Sequence, residues 1–501
     1  MASGYDVIIV GGGNAAWCAA LAARESGART LMLECAPESE RGGNSRFSAG
    51  AMRVAYSGVD DLVRLMPDLT DEDKSSTDFG AYPQDQFYDD LCRVTQYRTN
   101  PRLAETLVGR SFDTMMWMRT KGVRFAPIYG RQAFKIDGRF KFWGGLTVEA
   151  WGGGPGLIDA LYSAGARNGI EVWYGARACA LIHDDGGVRG VVVRNRGITA
   201  AVNAKAVVLA SGGFEASAEA RARYLGPGWD LAKVRGTRFN TGDGIRMALE
   251  IGAMPYGNWS GCHAVGWDRN APEFGDLAVG DGFQKHSYPF GIMVNARGRR
   301  FVDEGADFRN YTYARYGRAI LEQPGQFAWQ VFDRQVAHLL RDEYRIKGMT
   351  KVSADTLEEL AAKLEDVDAP GFVAEVRAYN AAIDTGRPFN PNIKDGRCTR
   401  GLAPEKSNWA NLIDTPPFEA YAVTCGITFT FGGLRIDDDA AVINTDGLPI
   451  RGLFAAGELV GGIFYFNYPG GTGLMSGAVF GRIAGAAAGH FARGGAQPAT
   501  S

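Results

Sequence analysis

The chain has 501 residues, with 54 lysines and arginines against 56 aspartates and glutamates, so its net charge is −2. This length predicts about two or three domains, and the balanced charge argues against nucleic acid or an anionic membrane surface as a partner. The seven cysteines are scattered and never spaced as CxxC. We therefore expect neither a disulfide framework nor a zinc or iron–sulfur site, and a reducing compartment is the simpler interpretation.

Neither end of the chain has the pattern of a targeting or membrane segment. The first apolar run, Tyr5 to Val10, has no charged stretch before it and no cleavage site after it. The most apolar stretch near the other end, Leu474 to Ala488, is rich in glycine and interrupted by Arg482, so it falls short of a spanning helix. We expect a cytoplasmic protein with no direct membrane span.

The first thirty-odd residues have the pattern of a nucleotide-binding βαβ unit. The run Tyr5 to Val10 is mostly apolar without alternation, which predicts a strand buried on both faces of a parallel sheet. Gly11 then permits a tight turn, and Gly13 lets backbone amides approach a pyrophosphate. Asn14 and Ala15 begin an alanine-rich helix whose first N–H groups are available to phosphate oxygens.

The second strand supports the same interpretation. Arg29 to Leu33 predicts a strand that ends at Glu34, where a carboxylate suits a ribose hydroxyl and disfavours a 2′-phosphate. A glycine turn that merely fits a tight corner is the alternative. The complete order of strand, turn, helix, strand and acid favours nucleotide binding.

The following elements alternate between strands and helices. Helical patterns are predicted for Gln86 to Gly122, Ile245 to Ile251, Thr356 to Leu364 and Ser476 to Ala488, and strands for Ile170 to Tyr174, Val188 to Val193, Ala206 to Ala210 and Leu453 to Glu458. The strand Leu453 to Glu458 and the helix Ser476 to Ala488 resemble the opening strand and helix in their apolar and small-residue composition. We therefore predict an α/β fold: a Rossmann-like domain with a doubly wound parallel sheet at 1–262 and 418–501, and an inserted α+β capping domain for substrate at 263–417.

Loops of small residues follow several of these elements, and such loops let backbone approach a flat ligand. So many separate contact segments exceed what a nicotinamide cofactor requires and suit FAD, which is contacted along its whole length. Besides the opening unit, the candidate cofactor-binding residues are Gly43, Asn44, Ser45, Ser48, Ala49, Gly50, Met52, Ala178, Ala210, Ser211, Gly212, Asp243, Gly457, Glu458, Gly473 and Leu474.

This ordered set of segments resembles the fumarate reductase and succinate dehydrogenase flavoprotein superfamily over nearly the entire chain. Within it, the GGNSR loop that ends at Arg46 and the terminal run Gly457 to Gly481 are similar to the FAD-dependent tricarballylate dehydrogenases. The 3-ketosteroid Δ1-dehydrogenases form a second similar group, through the loop Tyr468 to Gly470. The superfamily implies hydride transfer between flavin N5 and a carbon next to a carboxylate or carbonyl.

The resemblance also implies site residues. A run from Asn295 to Glu304 followed by Arg309 matches the segment that carries a catalytic arginine, and His263 matches a substrate histidine. Ser45 stands where the flavin-linking histidine of succinate dehydrogenases falls, so we expect noncovalent FAD. Asn310 replaces the acid that follows the arginine in relatives, so an acidic relay through that position is absent.

Two further departures concern charge. The late histidine of the superfamily falls at Phe429, and its carboxylate-binding arginine falls at Tyr468. Both replacements remove charged donors, and charge-assisted hydrogen bonds are roughly twice as strong as neutral ones. The sequence therefore argues against a small dianion as the substrate.

Five residues are candidates for catalysis, each with a structural alternative. Arg309 is a proton carrier or a bidentate carboxylate clamp. Tyr468 is an acid or base, or else an aromatic wall beside the flavin. His263 and His286 contact substrate or are satisfied structural groups, and Tyr311 serves catalysis or packing.

We expect an FAD-dependent dehydrogenase or reductase of CH–CH bonds, with tricarballylate as the leading small-molecule substrate. Desaturation of a ring ketone is the enzymatic alternative, favoured by Tyr468 and disfavoured by Arg309. A flavin-binding subunit of a larger assembly is the non-catalytic alternative. Because the chain lacks a cluster of its own, a separate redox partner is a possible electron acceptor.

Overall fold

The computed structural model describes residues 4–495 and residue 497. In this part of the chain the strands are β1 Tyr5–Val10, β2 Thr30–Leu33, β3 Ala51–Met52, β4 Thr77–Asp78, β5 Phe125–Pro127, β6 Ala133–Ile136, β7 Arg139–Phe142, β8 Val148–Ala150, β9 Glu171–Trp173, β10 Ala176–Asp184, β11 Gly187–Asn195, β12 Ile198–Leu209, β13 Lys233–Val234, β14 Pro255–Asp268, β15 Ile292–Val294, β16 Phe327–Phe332, β17 Lys351–Ala354, β18 Phe418–Leu434, β19 Ala441–Ile443 and β20 Pro449–Ala455.

The α-helices lie between these strands along the chain. They are α1 Asn14–Glu25, α2 Gly43–Arg46, α3 Val59–Leu65, α4 Asp71–Ser76, α5 Gln84–Val94, α6 Pro101–Thr120, α7 Tyr129–Gln132, α8 Gly153–Arg167, α9 Ala218–Leu225, α10 Asp243–Glu250, α11 Tyr313–Leu321, α12 Leu357–Lys363, α13 Ala369–Ala382 and α14 Thr472–Ala492.

The first sheet carries the nucleotide-binding architecture. Strands β20, β12, β1, β2 and β9 are parallel neighbours in that order, and β10 and β11 extend β12 as an antiparallel hairpin. All four residues of β2 are buried, as are the last four of β1. This burial explains why both strands read as apolar runs without alternation.

The second sheet surrounds the long strand β18. Strands β14, β16 and β17 pair with β18 antiparallel, β13 pairs with it parallel, and β15 adds to β16. Strand β14 begins before the predicted boundary at residue 262, and β18 begins at the predicted boundary at 418. The two long strands therefore connect the predicted capping domain to the first domain.

Helix α14 packs lengthwise on α1 through glycines spaced four apart. A Cβ added at Gly481 or Gly485 would overlap the carbonyl oxygen of Ala15 or Ala19 in α1. Since residues four apart share one helix face, this row lets the two backbones approach closely. The last helix of the chain is thereby fixed against the helix that follows the first glycine turn.

The predicted fold class is confirmed, and most predicted elements lie within two residues of their observed positions. Tyr5 to Val10 coincides with β1, and the strand predicted at Arg29 to Leu33 is β2. The segment predicted as largely helical, Gln86 to Gly122, is two helices, because Asn100 caps α6 and Pro101 begins it. Gln96 and Tyr97 adopt positive φ in the turn between them.

The glycine row predicts a specific loss of stability in Gly485→Val. The branched side chain would push α14 from the Ala19 backbone, and overpacking of this kind costs about 1–3 kcal/mol. Chemical unfolding of the flavin-loaded protein measures the loss. Gly130→Ala is the matched control, because a Cβ at this helical glycine meets open space. Equal stability of the Gly485→Val variant and the control would contradict close helix packing.

Candidate active site

A cavity of about 1310 Å³ opens at the carboxyl ends of β1, β2 and β12. Ligands of open α/β sheets bind at this edge. Its walls include the glycine turn before α1 and the residues Gly473 and Leu474 at the start of α14. Both ends of the chain therefore enclose one elongated space.

The first turn of α1 is built to receive an anion. Gly13 precedes the helix without a side-chain cap, and the first turn contains no acidic residue. The N–H of Asn14 donates to Ser45 Oγ at 3.1 Å, and Asn14 Nδ2 donates to the carbonyl oxygen of Leu474 at 2.8 Å. The helix dipole and the remaining amides favour negative charge here.

The two outer glycines of the turn have different roles. Gly11 has φ of 122°, and an added Cβ would overlap the carbonyl oxygen of Ala210 after β12. A Cβ at Gly13 would meet Ser45 Oγ at 3.4 Å and no closer protein atom. Gly11 therefore allows the segments that follow the parallel strands β1 and β12 to lie close together, whereas the absence of a side chain at Gly13 leaves space in the cavity.

Glu34 and Ser211 supply polar groups to the cavity of the kind expected for binding a ribose. Glu34 is only 4% exposed, and its Oε1 accepts the N–H of Ala36 at 2.9 Å. Burial raises the pKa of Glu34. Ser211 Oγ is buried without a hydrogen-bond partner among the described residues, and it also lines the cavity.

These features fit a dinucleotide cofactor such as FAD. The uncapped helix and Gly13 would hold the pyrophosphate, and Glu34 would hold the adenosine ribose. Asp243, which pairs with Arg177, also lines the cavity, as do Ser45, Ser48 and Leu474. The buried hydroxyl of Ser211 would gain an acceptor or donor from the bound cofactor.

Asn44 connects the small-residue loop to the second half of the cavity. Its Nδ2 donates to Glu215 Oε1 at 2.5 Å and to the carbonyl oxygen of Thr428 at 2.7 Å. Its Oδ1 accepts the N–H of Thr237 at 2.9 Å. One amide therefore positions three segments that are far apart in the sequence.

Two buried carboxyl groups lie behind this amide. Glu215 accepts hydrogen bonds from Asn44 Nδ2 and from Asn240 Nδ2 at 2.7 Å. Glu458 accepts the N–H of Thr430 at 2.8 Å and lines the cavity. Glu215 Oε2 is buried without a hydrogen-bond partner among the described residues, and it lies close to Glu458 Oε1 beside Gly213. Burial raises the pKa of both acids.

Most candidate cofactor-binding residues line the large cavity. The exceptions are three residues that follow Ser48. Ala49 lines the adjacent cavity described below, whereas Gly50 packs with φ of 71° against Gly153, and Met52 is fully buried in β3. Gly50 and Met52 therefore pack against the rest of the protein and line neither cavity. The lining residues are Gly11, Gly13, Asn14, Ala15, Glu34, Gly43, Asn44, Ser45, Ser48, Ala178, Ala210, Ser211, Gly212, Asp243, Gly457, Glu458, Gly473 and Leu474.

A second cavity of about 530 Å³ adjoins the first. Ser48, Arg235, Tyr468 and Leu474 line both cavities. Among the described residues, the charged groups that line the second cavity are three arginines and one acid, namely Arg131, Arg235, Arg309 and Asp281. Such an excess of buried positive charge makes this cavity suitable for an anionic ligand.

Arg309 and His286 form a hydrogen-bonded pair in the second cavity. Arg309 Nη1 donates to His286 Nδ1 at 2.9 Å, and Nη2 donates to the carbonyl oxygen of Arg131 at 2.7 Å. Burial lowers the pKa of His286 well below its ordinary value and also lowers that of Arg309. Since a guanidinium only donates, the neutral histidine carries its proton on Nε2, which has no partner among the described residues.

His263, Tyr313 and Tyr468 form a cluster between the two cavities. The hydroxyl oxygens of the tyrosines are 3.0 Å apart, and the imidazole packs edge-on against both rings at 4.9 and 4.7 Å. Both His263 nitrogens lack a protein partner among the described residues, and burial lowers the pKa of His263. Burial and the neighbouring tyrosine raise the pKa of Tyr468, so this phenol stays protonated.

Tyr311 lies outside both cavities. Its hydroxyl is 2.6 Å from Asp90 Oδ2 and accepts a hydrogen bond from Arg53 Nη1 at 3.2 Å. Its carbonyl oxygen accepts from Asn467 Nδ2 at 2.6 Å. Tyr311 therefore holds Asn467, the residue before Tyr468, through its backbone carbonyl and lines neither cavity.

Sequence reasoning missed the charged partners of the cluster. Arg131, Arg235 and Asp281 come from three separate segments with no glycine signature of their own. The replacement of the acidic relay at Asn310 is visible: its Nδ2 donates to the carbonyl oxygen of Gly144 at 3.0 Å. Phe429 lines the large cavity and stacks on Tyr468 with an interplanar angle of 12°.

Comparison with known proteins agrees with this geometry. Residues 6–474 match the family described as FAD binding domain. The chain is 31% identical over 492 residues to a probable fumarate reductase, Ifc3, of Shewanella frigidimarina (strain NCIMB 400), covering 96% of this chain and 74% of that protein. It is 28% identical over 567 residues to a 4-oxocyclohexanecarboxylate 2-dehydrogenase of Sinomonas cyclohexanicum, covering 97% and 94%.

A solved structure shows the same fold. The 3-ketosteroid Δ1-dehydrogenase from Sterolibacterium denitrificans, in complex with 1,4-androstadiene-3,17-dione, superposes with a TM-score of 0.74 at 22% identity. The match covers 97% of this chain and 99% of that one.

The parallel sheet, the uncapped helix and the elongated cavity define a flavoprotein with a Rossmann-like cofactor site. The chain belongs to the FAD-binding family whose match spans residues 6–474. The predicted cofactor, FAD, and the predicted enzyme class, an FAD-dependent dehydrogenase or reductase, are thereby confirmed. Among the residues that the structure describes, no helix is both long and apolar enough to cross a bilayer.

The carboxyl pair predicts an unusual dependence of stability on pH. Glutamates titrate at about 4.3 in unfolded chains, and burial raises the pKa of Glu215 and Glu458 in the folded protein. The folded state therefore retains protons that the unfolded state loses, so this pair makes the protein less stable as the pH rises above about 4.3. Glu215→Gln removes one acid while keeping an oxygen for Asn44 and Asn240. We expect the variant to unfold at a higher temperature than wild type at pH 8, with a smaller difference at pH 5.

Glu215→Ala is the contrasting variant, because it leaves one N–H of Asn240 and one of the two N–H groups of Asn44 without an acceptor. An unsatisfied buried donor costs about 1–3 kcal/mol, so this variant should be less stable than wild type at both pH values. Circular dichroism of the flavin-loaded proteins during heating measures all three. A Glu215→Gln variant that tracks wild type across the pH range would show that the pair does not hold an extra proton.

Proposed function

We propose that this enzyme dehydrogenates, or in reverse hydrogenates, a carbon–carbon bond next to a carboxylate, with tricarballylate as the leading substrate. The observation that carries the proposal is the charge of the second cavity, where three arginines face one acid among the described residues. Arginine presents a fork that matches a carboxylate. The relatives support the reaction class, since one is named a probable fumarate reductase and the other a 2-dehydrogenase of a ring carboxylate.

The chemistry divides between cofactor and chain. Bound FAD supplies the site that accepts or donates hydride, and the chain holds the substrate and handles the proton. Arg309 is the proposed proton carrier. It is 8% exposed, burial and the nearby Arg131 lower its pKa, and both terminal nitrogens are fixed by acceptors. A fixed guanidinium with a lowered pKa is better suited to proton transfer than a free surface arginine.

His263 and His286 have supporting roles in this proposal. Both are buried with lowered pKa values, so they stay neutral and add no charge to the cavity. The Nε2–H group of His286 and one nitrogen of His263 donate to substrate oxygens. Their burial also excludes water from the reacting carbon, which strengthens each of these polar contacts.

A second candidate is desaturation of a ring ketone, and the tyrosine pair favours it. Tyr313 and Tyr468 have hydroxyl oxygens 3.0 Å apart, and Tyr468 is held protonated at the junction of the two cavities. A protonated phenol supported by a second phenol can donate to a carbonyl oxygen as negative charge develops there. The relative named for 4-oxocyclohexanecarboxylate acts on a molecule that carries both a ketone and a carboxylate.

The remaining expectations complete the proposal. FAD is held noncovalently, the segment 263–417 caps the flavin, and a separate redox partner takes the electrons. A cytoplasmic location and the absence of a nucleic-acid partner stay predictions.

Anaerobic mixing tests the substrate class directly. The oxidised enzyme is mixed separately with tricarballylate, with 4-oxocyclohexanecarboxylate and with a cyclic ketone that lacks a carboxylate. Loss of oxidised-flavin absorbance with tricarballylate supports the leading proposal, and reduction by both ring ketones supports the second. To test the reverse direction, the reduced enzyme is also mixed with the unsaturated counterpart of each compound. An unchanged flavin in every mixture would contradict both candidates.

Arg309→Ala predicts loss of turnover with retention of the cofactor. Removal of a proton-transfer group costs about 10²–10⁴-fold in kcat, whereas Arg309 is absent from the wall of the large cavity. Stopped-flow reduction and the flavin-to-protein absorbance ratio measure the two effects. Arg377→Ala is the control, since that exposed arginine pairs with Glu358. Full turnover without Arg309 would remove it from the mechanism.

A further inference from the structure

A third cavity, of about 320 Å³, adjoins the second one through Arg309 and His286, which line both. No residue of its wall is exposed, and none carries a carboxylate or an amide oxygen in its side chain. The wall is mainly aromatic, with the rings of Phe134, Trp143, Phe290, Phe308 and Trp409. This cavity is therefore separate from the space proposed for the cofactor and the substrate, although it shares the pair of Arg309 and His286 with the second cavity.

The cavity lies where the hairpin of β6 and β7 meets the predicted capping segment 263–417. Phe134 belongs to β6, and Trp143 directly follows β7. Their rings stack with an interplanar angle of 8°, and the ring of Trp143 also stacks on that of Phe308 at 4.8 Å. Rings from two distant parts of the chain therefore pack together around one small space.

Arg341 enters this space from the capping segment. Its Nη1 donates to the carbonyl oxygen of Ala133 at 3.0 Å, and its guanidinium lies 3.8 Å from the centre of the Phe134 ring. Its backbone N–H donates to Ser287 Oγ at 3.1 Å. The remaining terminal nitrogen, Nη2, is buried and has no hydrogen-bond partner among the described residues, and within this part of the chain the guanidinium makes no ion pair.

Trp143 supplies a second buried donor without a protein acceptor. It is 8% exposed, and its Nε1 has no hydrogen-bond partner among the described residues. Trp409, the other tryptophan of the wall, differs, because its Nε1 donates to the carbonyl oxygens of Asn390 and Ile393 at 3.0 and 2.9 Å. Since most buried polar groups in proteins are hydrogen-bonded, two such donors in the wall of one cavity indicate a ligand that accepts hydrogen bonds.

The charge of this region favours an anion over water. Burial and the nearby Arg309 lower the pKa of Arg341 to about 9. Glu343 is a buried acid whose charge acts on Arg131, Arg309 and Arg341 alike, so one carboxylate faces three arginines, and Asp281 already binds two arginines of the second cavity. A buried charge without a partner is costly, and an anion beside Arg341 Nη2 removes that cost.

We propose that the third cavity binds a halide ion, chloride under physiological conditions, between Arg341 Nη2 and Trp143 Nε1. A halide is a single acceptor with one negative charge, which matches one guanidinium nitrogen and one neutral N–H. A carboxylate or a phosphate brings two or more oxygens, each of which needs donors of its own. The ion connects the hairpin of β6 and β7 to the capping segment and completes the partners of Arg341. This proposal is independent of which compound the enzyme oxidises or reduces.

Crystals of the flavin-loaded protein grown in sodium bromide test the site directly. Bromide scatters X-rays anomalously, whereas water does not, so a peak in the anomalous difference map identifies the ion. We expect a peak in the third cavity within hydrogen-bond distance of Arg341 Nη2 and Trp143 Nε1. A cavity that holds only water in the presence of bromide would overturn the proposal.

Thermal unfolding of the flavin-loaded protein tests binding in solution. Sodium chloride replaces sodium gluconate at constant ionic strength, and a ligand that binds only the folded state raises the unfolding temperature in a saturable way. Loss of a hydrogen bond from a charged group corresponds to about 10–150-fold in binding, and loss of a neutral one to about 2–10-fold. We therefore expect the half-saturating chloride concentration to rise by the first factor in Arg341→Gln and by the second in Trp143→Phe.

Arg377→Gln is the control, because this exposed arginine of the same segment pairs with Glu358. It should respond to chloride as wild type does. Flavin content shows whether each variant folds, and if Arg341→Gln does not, Trp143→Phe decides the outcome, since it removes one N–H and keeps an aromatic ring. If both variants respond to chloride like the control, the proposal is wrong. A bromide peak in the crystal without any chloride effect on wild type would mean binding at crystal concentration only and would also contradict it.

Discussion

The close contact between α1 and α14 is the constraint on which the site depends. Glycines at 481 and 485 let the terminal helix lie against the backbone of the first helix, and Asn14 Nδ2 reaches the carbonyl oxygen of Leu474 across the same interface. The phosphate-binding turn and the wall beside the reacting end of the cavity are thereby held by one pair of helices. A shift between these helices would alter both at once, so cofactor binding and substrate geometry are mechanically coupled.

A second constraint is the supply of acceptors for buried positive charge. Asp281 binds both Arg131 and Arg235, and His286 accepts from Arg309 only because it is neutral. Each partner fixes an orientation without cancelling the total charge of the cavity. The protein thus keeps an excess of guanidinium groups away from water, which is unfavourable for folding and favourable for binding an anion. Strain of this kind is typical of functional sites.

The sequence was sufficient to predict those features of the fold and site that depend only on residues close together along the chain. The strand Tyr5 to Val10, the glycine turn and Glu34 follow from local burial and backbone freedom, and each lies where the pattern predicted. The place of Arg235 in the cavity did not follow from any pattern, because its orientation depends on Asp281, 46 residues later, and Arg131 lies 150 residues before that acid. Gly50 and Met52 were predicted as cofactor contacts from the composition of their loop, but the loop turns so that neither faces the cavity. Only the three-dimensional path of the chain decides such orientations.

The same argument explains how charge is redistributed in this site. Phe429 and Tyr468 stand at positions where the sequence pattern of related flavoproteins implies a histidine and an arginine, and taken alone they argue against a small dianion. The fold, however, brings Arg131 and Arg235 to the second cavity from other segments, so that cavity still carries positive charge. The stacked rings of Phe429 and Tyr468 stand at the positions where the pattern implies the histidine and the arginine. The positive charge of this cavity therefore comes from Arg131 and from Arg235, which follows β13, and not from the positions of that histidine and arginine. The site differs from one with the histidine and arginine pair in where its positive charge is placed, and not in whether it carries positive charge.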